Sequence, residues 1–348
     1  MRMWLLSLRD LQWRRRRFLI AVVATALIFA LTLLMTGAGN GLDHEVTRIV
    51  RGFDADRWVV RDGATGPFTT TRPLGPDVVR QVATAPGVDE ATALVLFRGS
   101  IGGEQPTDIN LIGYDGRSFA APEIAAGRQA TGPDEVVVDT ALGLDPGDTV
   151  ELVGRERTVV GTADGVTFFF GLPTVFAPLS DTQELVFGGQ PIVTTVITDG
   201  VPEALPDGLT ALTGASVEDD LRRPTQNGKS TIDFISLLLW FVAAGIIASI
   251  VYLTALERTG DFAVLKATGA PTRLLVATLG LQALVLASGA GLLAIPLALL
   301  LAPGFGFEIV LRGSDYASLV LVAMLVGLLA SLAGLRKVLA VDPALAFG

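Results

Sequence analysis

The sequence has no cysteine and only one histidine, His44. Without cysteine the chain can form no disulfide and no thiolate metal site, and one histidine cannot build a zinc cluster. The sequence also lacks a Gly-x-Ser-x-Gly elbow, a His-Glu-x-x-His pair and a Rossmann glycine fingerprint. Because no catalytic motif is visible, we expect that this chain is not itself an enzyme.

Two polar segments match the pattern of a ligand site only in part. Residues 226–230 (QNGKS) end like a phosphate-binding loop, but the full motif needs glycine where the sequence has Arg223. The acidic groups at 54–56 and 218–220 could bind calcium weakly, although a solvated acidic surface is the simpler interpretation. We therefore predict neither a nucleotide site nor a metal site in this chain.

Charged residues are absent from four long apolar runs, at 18–38, 234–256, 274–302 and 317–335. Half of all residues are hydrophobic and the mean hydropathy is +0.55, which is too apolar for an ordinary soluble enzyme. Each run is close to the ~20 residues that a helix needs to cross a bilayer. We predict four transmembrane helices, of which the third contains Pro296 and is expected to kink, tilt or unwind at its outer end.

The net charge of −9 is the sum of two oppositely charged parts. Residues 39–231 hold 14 Lys and Arg against 28 Asp and Glu, a net charge of −14, and the remainder carries +5. The basic residues of the remainder cluster at 14–17, 258–273 and 336–337, which the positive-inside rule assigns to the cytoplasm. Both termini are then cytoplasmic and the acidic domain is extracytoplasmic. An acidic balance also disfavours nucleic acid as a partner.

Residues 1–17 precede the first apolar run and hold Trp4, Leu5 and Leu8 at helical spacing. This spacing predicts an amphipathic helix at the inner membrane interface. A signal peptide is the alternative, but the apolar run is longer than a typical h-region and residues 35–40 form a poor cleavage site. We therefore favour an uncleaved membrane anchor.

The extracytoplasmic segment divides into two parts by its local patterns. The first has a strand–helix–strand–strand order typical of an α+β module, and the second is rich in strands. At about 190 residues the segment is long enough to bury a core without disulfides. Within the turn-rich stretch 199–230, we expect 209–212 to return one strand to the first part and 222–229 to connect back to the membrane. The expected strands are 57–61, 91–98, 108–114, 135–139, 149–153, 158–162, 166–170, 173–177 and 192–198, and the expected helix is 75–85.

A charged segment, 257–273 (ERTGDFAVLKATGAPTR), lies between the second and third apolar runs. Asp261 suits the positive end of a helix dipole, and Gly269 can adopt the left-handed conformation that ends a helix. Phe262 and Leu265 are three residues apart, which predicts that they share a helix face. The pattern predicts one short helix, although by itself it also fits a polar hairpin that only joins two membrane helices.

Residues 258–270 (RTGDFAVLKATGA) resemble the signature loop of the FtsX/MacB-type ABC transporter permeases. Asp261 stands where that family usually has Glu, and Thr268 stands where it usually has an aliphatic residue. The resemblance implies that the segment is a coupling helix, which docks on a separate ATPase subunit. The docking residues that it implies are Arg258, Asp261, Phe262, Leu265, Lys266, Gly269 and Ala270.

Two other segments resemble the same family. Residues 142–150 resemble a strand entry of MacB-type periplasmic domains, and residues 335–345 resemble the family's closing segment. The family's outer domain has a porter-like lobe and a mainly β lobe. The implied fold is therefore a membrane protein with four transmembrane α-helices and a large extracytoplasmic α+β domain of these two lobes.

Small residues recur four apart inside the apolar runs, a spacing that lets helix backbones approach closely. Alanine and glycine are abundant throughout the chain, so chance is an equally good explanation of this pattern. The candidate helix-packing residues are Ala244, Ala248, Gly327, Ser331, Ala330 and Gly334.

The implied organisation places nine segments along the chain. They are an amphipathic helix (1–17), the first span (18–38), the extracytoplasmic domain (39–231), the second span (232–256), the coupling loop (257–273), the third span (274–302), a short outer loop (303–316), the fourth span (317–335) and a cytoplasmic tail (336–348).

The resemblance implies the permease subunit of an ATP-driven transporter in the bacterial cytoplasmic membrane. Two copies of the chain would work with two copies of a cytoplasmic ABC ATPase, which would bind the ATP and Mg²⁺, in a type VII mechanotransmission cycle that exports or extrudes a substrate. One alternative is a mechanotransmitter that activates an extracytoplasmic enzyme without transport. Less favoured alternatives are uptake of a polar solute such as an amino acid, and an ATPase-free membrane-anchored sensor.

Overall fold

The computed structural model describes residues 15–70, 72–102, 106–169, 171–257, 259–269, 271–305 and 308–339. Residues 1–14, which make up most of the predicted amphipathic helix, lie outside the described residues, and so does the tail from residue 340 onward. The chain forms two compact units. The membrane unit holds the residues up to Asn40 and from Ser230 onward, and the outer unit is Gly41–Lys229.

Seven helices and ten strands are present in the described part of the chain. In chain order they are α1 (Arg15–Gly52), β1 (Arg57–Arg61), α2 (Pro76–Ala83), β2 (Val88–Ile101), β3 (Thr107–Tyr114), β4 (Ala126–Gly127), β5 (Glu135–Asp139), β6 (Thr149–Leu152), β7 (Arg155–Ala163), β8 (Thr174–Pro178), α3 (Leu179–Phe187), β9 (Thr195–Gly200), β10 (Leu209–Leu212), α4 (Gly214–Glu257), α5 (Thr259–Ala267), α6 (Thr272–Leu301) and α7 (Gly313–Leu339).

Helices α1, α4, α6 and α7 are long and apolar enough to cross a membrane. They contain the four predicted runs except for the last residue of the third, Ala302, so the prediction of four spanning helices is confirmed. Pro296 lies inside α6, which continues to Leu301 and then tightens into the 3₁₀ turn Ala302–Gly304. The outer end of this helix therefore finishes in one 3₁₀ turn and does not unwind.

Helix α4 corrects the expected connector at 222–229, because these residues lie in its interior. Pro224 has no backbone N–H, so this turn of the helix lacks one hydrogen bond, and polar side-chain contacts stabilise the turn instead. The Arg222 guanidinium is 2.8 Å from the Glu218 carboxylate one turn earlier, and the Thr225 hydroxyl donates to the Arg222 carbonyl at 2.8 Å. Polar residues that suggested a loop are instead the outer part of a long helix.

The strands of the outer unit join along one continuous path, β10-β1-β9-β2-β3-β8-β5-β7-β4, with β6 pairing at the ends of β2 and β7. Strand β2 belongs to two sheets, because Leu94 is its last residue paired with β9 and Val95 is its first paired with β3. The β9 strand was expected in the second part, but it lies between β1 and β2 of the first sheet. The prediction that 209–212 returns to the first part is confirmed by its pairing with β1.

Two local elements of the outer unit differ from the expected pattern. Residues 166–170 were expected to form a strand, but Phe168 makes only an isolated bridge with Leu172. Phe169 and Gly171 both have positive φ, which breaks an extended chain. Helix α3 was not expected; it ends at Gly188, which adopts the left-handed conformation.

Residues from the outer ends of α1 and α4 help to build the core of the outer unit. Val46 and Ile49 of α1 and Val217 of α4 are buried in the cluster that surrounds Trp58, a side chain with no exposed surface. Phe53 packs edge-on against Trp58 at 5.2 Å between ring centroids. The helices therefore supply part of the apolar area that stabilises this unit.

Candidate functional site

Helix α5 is the short helix predicted in the charged segment, and it follows α4 after one intervening residue. Asp261 lies in its first turn and Lys266 in its last, which suits the helix dipole at both ends. Gly269 has φ +88° and donates its N–H to the Lys266 carbonyl at 3.0 Å. A left-handed glycine thus ends the helix, as predicted, and a side chain at this position would strain the turn.

One face of α5 packs into the membrane unit. Phe262 is 2% exposed and Ala263 is fully buried, and both belong to the apolar cluster that includes Ala255 of α4 and Leu279 of α6. Burial of a whole phenylalanine side chain contributes about 1.5–3 kcal/mol relative to exposure in water. Phe262 therefore anchors the short helix to the ends of the spanning helices.

The opposite face of α5 is exposed. Asp261, Val264, Leu265 and Thr268 follow the i, i+3, i+4, i+7 spacing that brings side chains onto one helical stripe, and all four are exposed. Val264 is 51% exposed and Leu265 is 39% exposed. We call these four residues the exposed stripe. Two adjacent apolar side chains in this stripe form a surface that a protein partner could cover.

Phe262 and Leu265 were predicted to share a helix face, but Phe262 is buried and Leu265 is 39% exposed. Residues three apart on a helix differ by about 60° in direction, and the boundary between buried and exposed surface falls between these two. Val264 was not among the expected docking residues, although the helical spacing from Asp261 could have identified it. Arg258 and Ala270 lie outside the described residues.

The small residues predicted to pack helices have different surroundings. A Cβ added to Gly327 of α7 would lie 2.7 Å from the Ala287 Cβ and 3.0 Å from the Ala283 carbonyl oxygen, both of α6. These two helices therefore approach so closely that only glycine fits at this position. Ala330 is buried, Ala244, Ala248 and Ser331 are partly buried, and the surroundings of Gly334 lie outside the described residues. The Ser331 hydroxyl donates to the Leu328 carbonyl of its own helix at 2.6 Å.

The acidic group at 218–220 is not a uniformly solvated surface, because the Asp220 side chain is completely buried. Its carboxylate accepts hydrogen bonds from the backbone N–H groups of Phe68 at 3.0 Å and Thr69 at 3.2 Å. The Thr65 hydroxyl donates to the same carboxylate at 3.2 Å. Asp220 thus fixes the loop 65–69 to helix α4. Within the described ranges, no group of three His, Asp or Glu side chains is placed to hold a metal ion.

Two family profiles match this chain and together cover most of its length. The profile described as MacB-like periplasmic core domain matches residues 18–211, and the FtsX-like permease C-terminal profile matches residues 234–343. The chain belongs to the family of FtsX/MacB-type ABC transporter permeases. The first profile contains every strand of the outer unit except the end of β10, and the second contains α5, α6 and α7.

Relatives of this permease carry the same general description. A protein named as an uncharacterized ABC transporter permease of Mycobacterium tuberculosis (strain H37Rv) is 42% identical over 343 residues, covering 98% of each chain. A second protein of that name and strain is 40% identical over 348 residues, with 98% of each chain covered. The solved periplasmic region of MacB from Actinobacillus actinomycetemcomitans aligns with 51% of the permease and 98% of that chain, at 14% identity and a TM-score of 0.37.

Proposed function

We propose that this permease couples ATP hydrolysis by a separate cytoplasmic ATPase to movement of its outer unit, and that this movement exports or extrudes a substrate. The observation that carries the proposal is that α5 is buried on one face and exposed on the other. Phe262 fixes the helix to the spanning helices, and the exposed stripe on its other side presents Val264 and Leu265 for docking. A helix that is anchored on one side and apolar on the other can pass the movement of a docked partner to the spans.

The composition of the exposed stripe favours a protein partner. Val264 and Leu265 supply an apolar centre, and Asp261 and Thr268 border it with polar groups. Protein interfaces combine an apolar centre with a polar rim in this way. Lys266 and Arg258 belong to a basic segment that would attract an acidic groove on the partner and raise the association rate.

The continuity of two helices supports transmission through the membrane. Helix α1 is unbroken across Asn40 and α4 is unbroken across Ser230, where the two compact units divide. In the outer unit, Lys229 and Arg222 of α4 both pair with Asp43 of α1, at 2.5 Å and 3.6 Å between charged atoms. Val46 and Ile49 of α1 and Val217 of α4 are buried in the core of the outer unit, so a displacement along either helix would act on that core.

The assembly that we propose contains two copies of this permease and two of the ATPase, with ATP and Mg²⁺ bound by the ATPase. Both termini and α5 face the cytoplasm in this arrangement, and the outer unit lies on the other side of the bacterial membrane. The basic residues Arg16, Lys266 and Arg273 fit this orientation by the positive-inside rule.

The test compares two changes of the same chemical kind. Val264→Ser with Leu265→Ser removes the apolar centre of the exposed stripe, and Val201→Ser changes a side chain of the outer unit that is 47% exposed. Tagged parent and variant proteins are purified from the native membrane in mild detergent, at matched amounts, and the ATPase that accompanies the parent is identified by mass spectrometry.

Loss of an apolar anchor at an interface commonly costs about 2 kcal/mol, which is roughly thirtyfold in affinity. We expect the double variant to recover much less ATPase than the parent, and the Val201 variant to recover the same amount. Equal recovery by all three proteins, with equal ATPase activity, would refute docking through α5.

A further inference from the structure

The outer unit contains a cavity of about 310 Å³, which is at the lower end of the roughly 300–1,000 Å³ of small-molecule sites. It lies where strand β2 exchanges β9 for β3 as its partner. Four phenylalanine side chains, Phe68, Phe97, Phe168 and Phe169, form much of its wall. Phe97 is 44% exposed, so the aromatic surface is open to a ligand.

The charge of the cavity is opposite to that of the unit around it. Arg98 is the one charged residue among the described residues that line it, and no carboxylate is among them. Within the described part of the chain, Arg98 makes no salt bridge; its guanidinium lies 4.7 Å from the centroid of the Phe169 ring. Residues 39–231 carry twice as many acidic as basic side chains, so a cavity lined by an arginine and no described carboxylate differs in charge from its surroundings.

The walls of the cavity are held in place by buried polar side chains. The Asn110 amide donates to the backbone carbonyls of Leu172 at 3.0 Å and Phe168 at 3.4 Å, which fixes the turn that carries Phe169. Phe169 has φ +55°, a conformation that costs energy for a side chain of this size and that the turn maintains. On the other side, Asp220 holds the backbone of Phe68. The cavity is therefore formed before any ligand enters.

We propose that this cavity binds a single-chain amphipathic anion, with its carboxylate on Arg98 and its apolar chain between the phenylalanine rings. The guanidinium offers paired donors that match a carboxylate. A cationic ligand is disfavoured, because Arg98 already occupies the face of Phe169 and would repel it. The volume accommodates one short acyl chain and excludes a ligand with two long chains.

The cavity also includes Pro224 of helix α4, the helix that continues to Glu257. A bound chain would therefore contact a helix that enters the membrane unit. The binding proposal itself concerns only the outer unit and does not depend on ATPase coupling, so each can fail without the other.

The test measures binding of radiolabelled dodecanoate to the full chain in nanodiscs of zwitterionic lipid, with empty nanodiscs subtracted. We expect saturable binding of one dodecanoate per chain. Arg98→Gln should weaken binding at least about tenfold, because a charge-assisted hydrogen bond is lost. Arg98→Lys keeps the charge but loses the paired donors, so it should bind more weakly than the parent and more tightly than Arg98→Gln. The control is Arg117→Gln, a change at an exposed arginine that does not line the cavity, and it should bind as the parent does.

Three results would overturn the proposal. The first is the absence of saturable binding above that of empty nanodiscs, and the second is equal affinity of the Arg98→Gln variant and the parent for dodecanoate. The third is displacement of the radiolabelled dodecanoate by dodecyltrimethylammonium, a cation with the same chain, as effectively as by unlabelled dodecanoate. Thermal unfolding of each variant is measured in parallel, and the Arg98→Lys variant carries the comparison if the Gln variant unfolds. Recovery of the ATPase by the Arg98→Gln variant should equal that of the parent, which separates this test from that of the proposed function.

Discussion

Replacing Gly327 by alanine should destabilise the membrane unit, whereas the same replacement at Gly245 should not. The added Cβ at position 327 would lie 2.7 Å from the Ala287 Cβ and 3.0 Å from the Ala283 carbonyl oxygen. Carbon atoms in good contact are about 3.5–4.0 Å apart, so helices α6 and α7 would have to separate by about 1 Å. At Gly245 nothing lies within 4 Å of an added Cβ.

The matched pair isolates the cost of this separation. Both variants gain the higher helix propensity of alanine, about 1 kcal/mol in water, and this gain cancels in the comparison. Overpacking a close contact costs about 1–3 kcal/mol. The Gly327→Ala protein should therefore be about 1–3 kcal/mol less stable than the Gly245→Ala protein.

The assay is reversible unfolding of the purified full chain in mixed micelles, with denaturing detergent as the titrant and helical circular dichroism as the signal. The Gly327→Ala protein should unfold at a lower detergent fraction than the Gly245→Ala protein. Identical unfolding curves for the two variants would refute the close approach of α6 and α7 at this glycine, and with it the packing role assigned to Gly327.

Three other outcomes follow from the outer unit. Asp220→Ala should leave buried N–H groups of loop 65–69 without an acceptor, and should lower stability by about 2 kcal/mol or more while raising hydrogen exchange in that loop. The hydrogen bond from Arg128 lowers the pKa of Glu135 to about 2. The stability that this ion pair contributes is therefore fully present above pH ~4.3, the ordinary pKa of glutamate, and is lost as the pH falls from there to about 2. Glu135→Gln should flatten the pH profile of thermal unfolding between these two pH values. Residues 41–229 expressed alone should unfold cooperatively by circular dichroism, whereas residues 54–213, which lack both helix ends, should give a broad transition.

Much of the fold could be predicted because its elements have strong local patterns. The strands Arg57–Arg61 and Glu135–Asp139 were predicted to the residue, since each is a short apolar run with charged ends. The four spans followed from the absence of charge over lengths that cross a bilayer. Gly269 was predicted to end α5 because few other residues adopt its conformation.

The remaining features depend on contacts between distant parts of the chain. Helix α4 begins at Gly214, well before its apolar run, because Val217 and Leu221 are buried in the outer core and Arg222 has carboxylate partners. The partner exchange of β2 at Leu94 leaves no local signal, because the strand itself is continuous.

In the candidate site too, the burial of α5 depends on contacts with distant parts of the chain. The composition of 257–273 predicted a short helix, but it could not say on which side of Phe262 the boundary between buried and exposed surface lies. That boundary is set by the cluster around Ala255 and Leu279, which belong to two other helices. The position of this boundary removes Phe262 from the expected docking contact, keeps Leu265 and adds Val264.

The most direct test of ATPase docking uses the natural absence of cysteine, because a single introduced cysteine is the only thiol in the chain. Leu265→Cys and Phe262→Cys are each labelled with a photoactivatable crosslinker in native membranes, illuminated, and probed for adducts with the ATPase. We predict an adduct from the exposed position 265 and none from the buried position 262. An unmodified ATPase with a fully labelled Leu265→Cys protein, or equal crosslinking from both positions, would contradict the assignment of the exposed stripe as the docking surface.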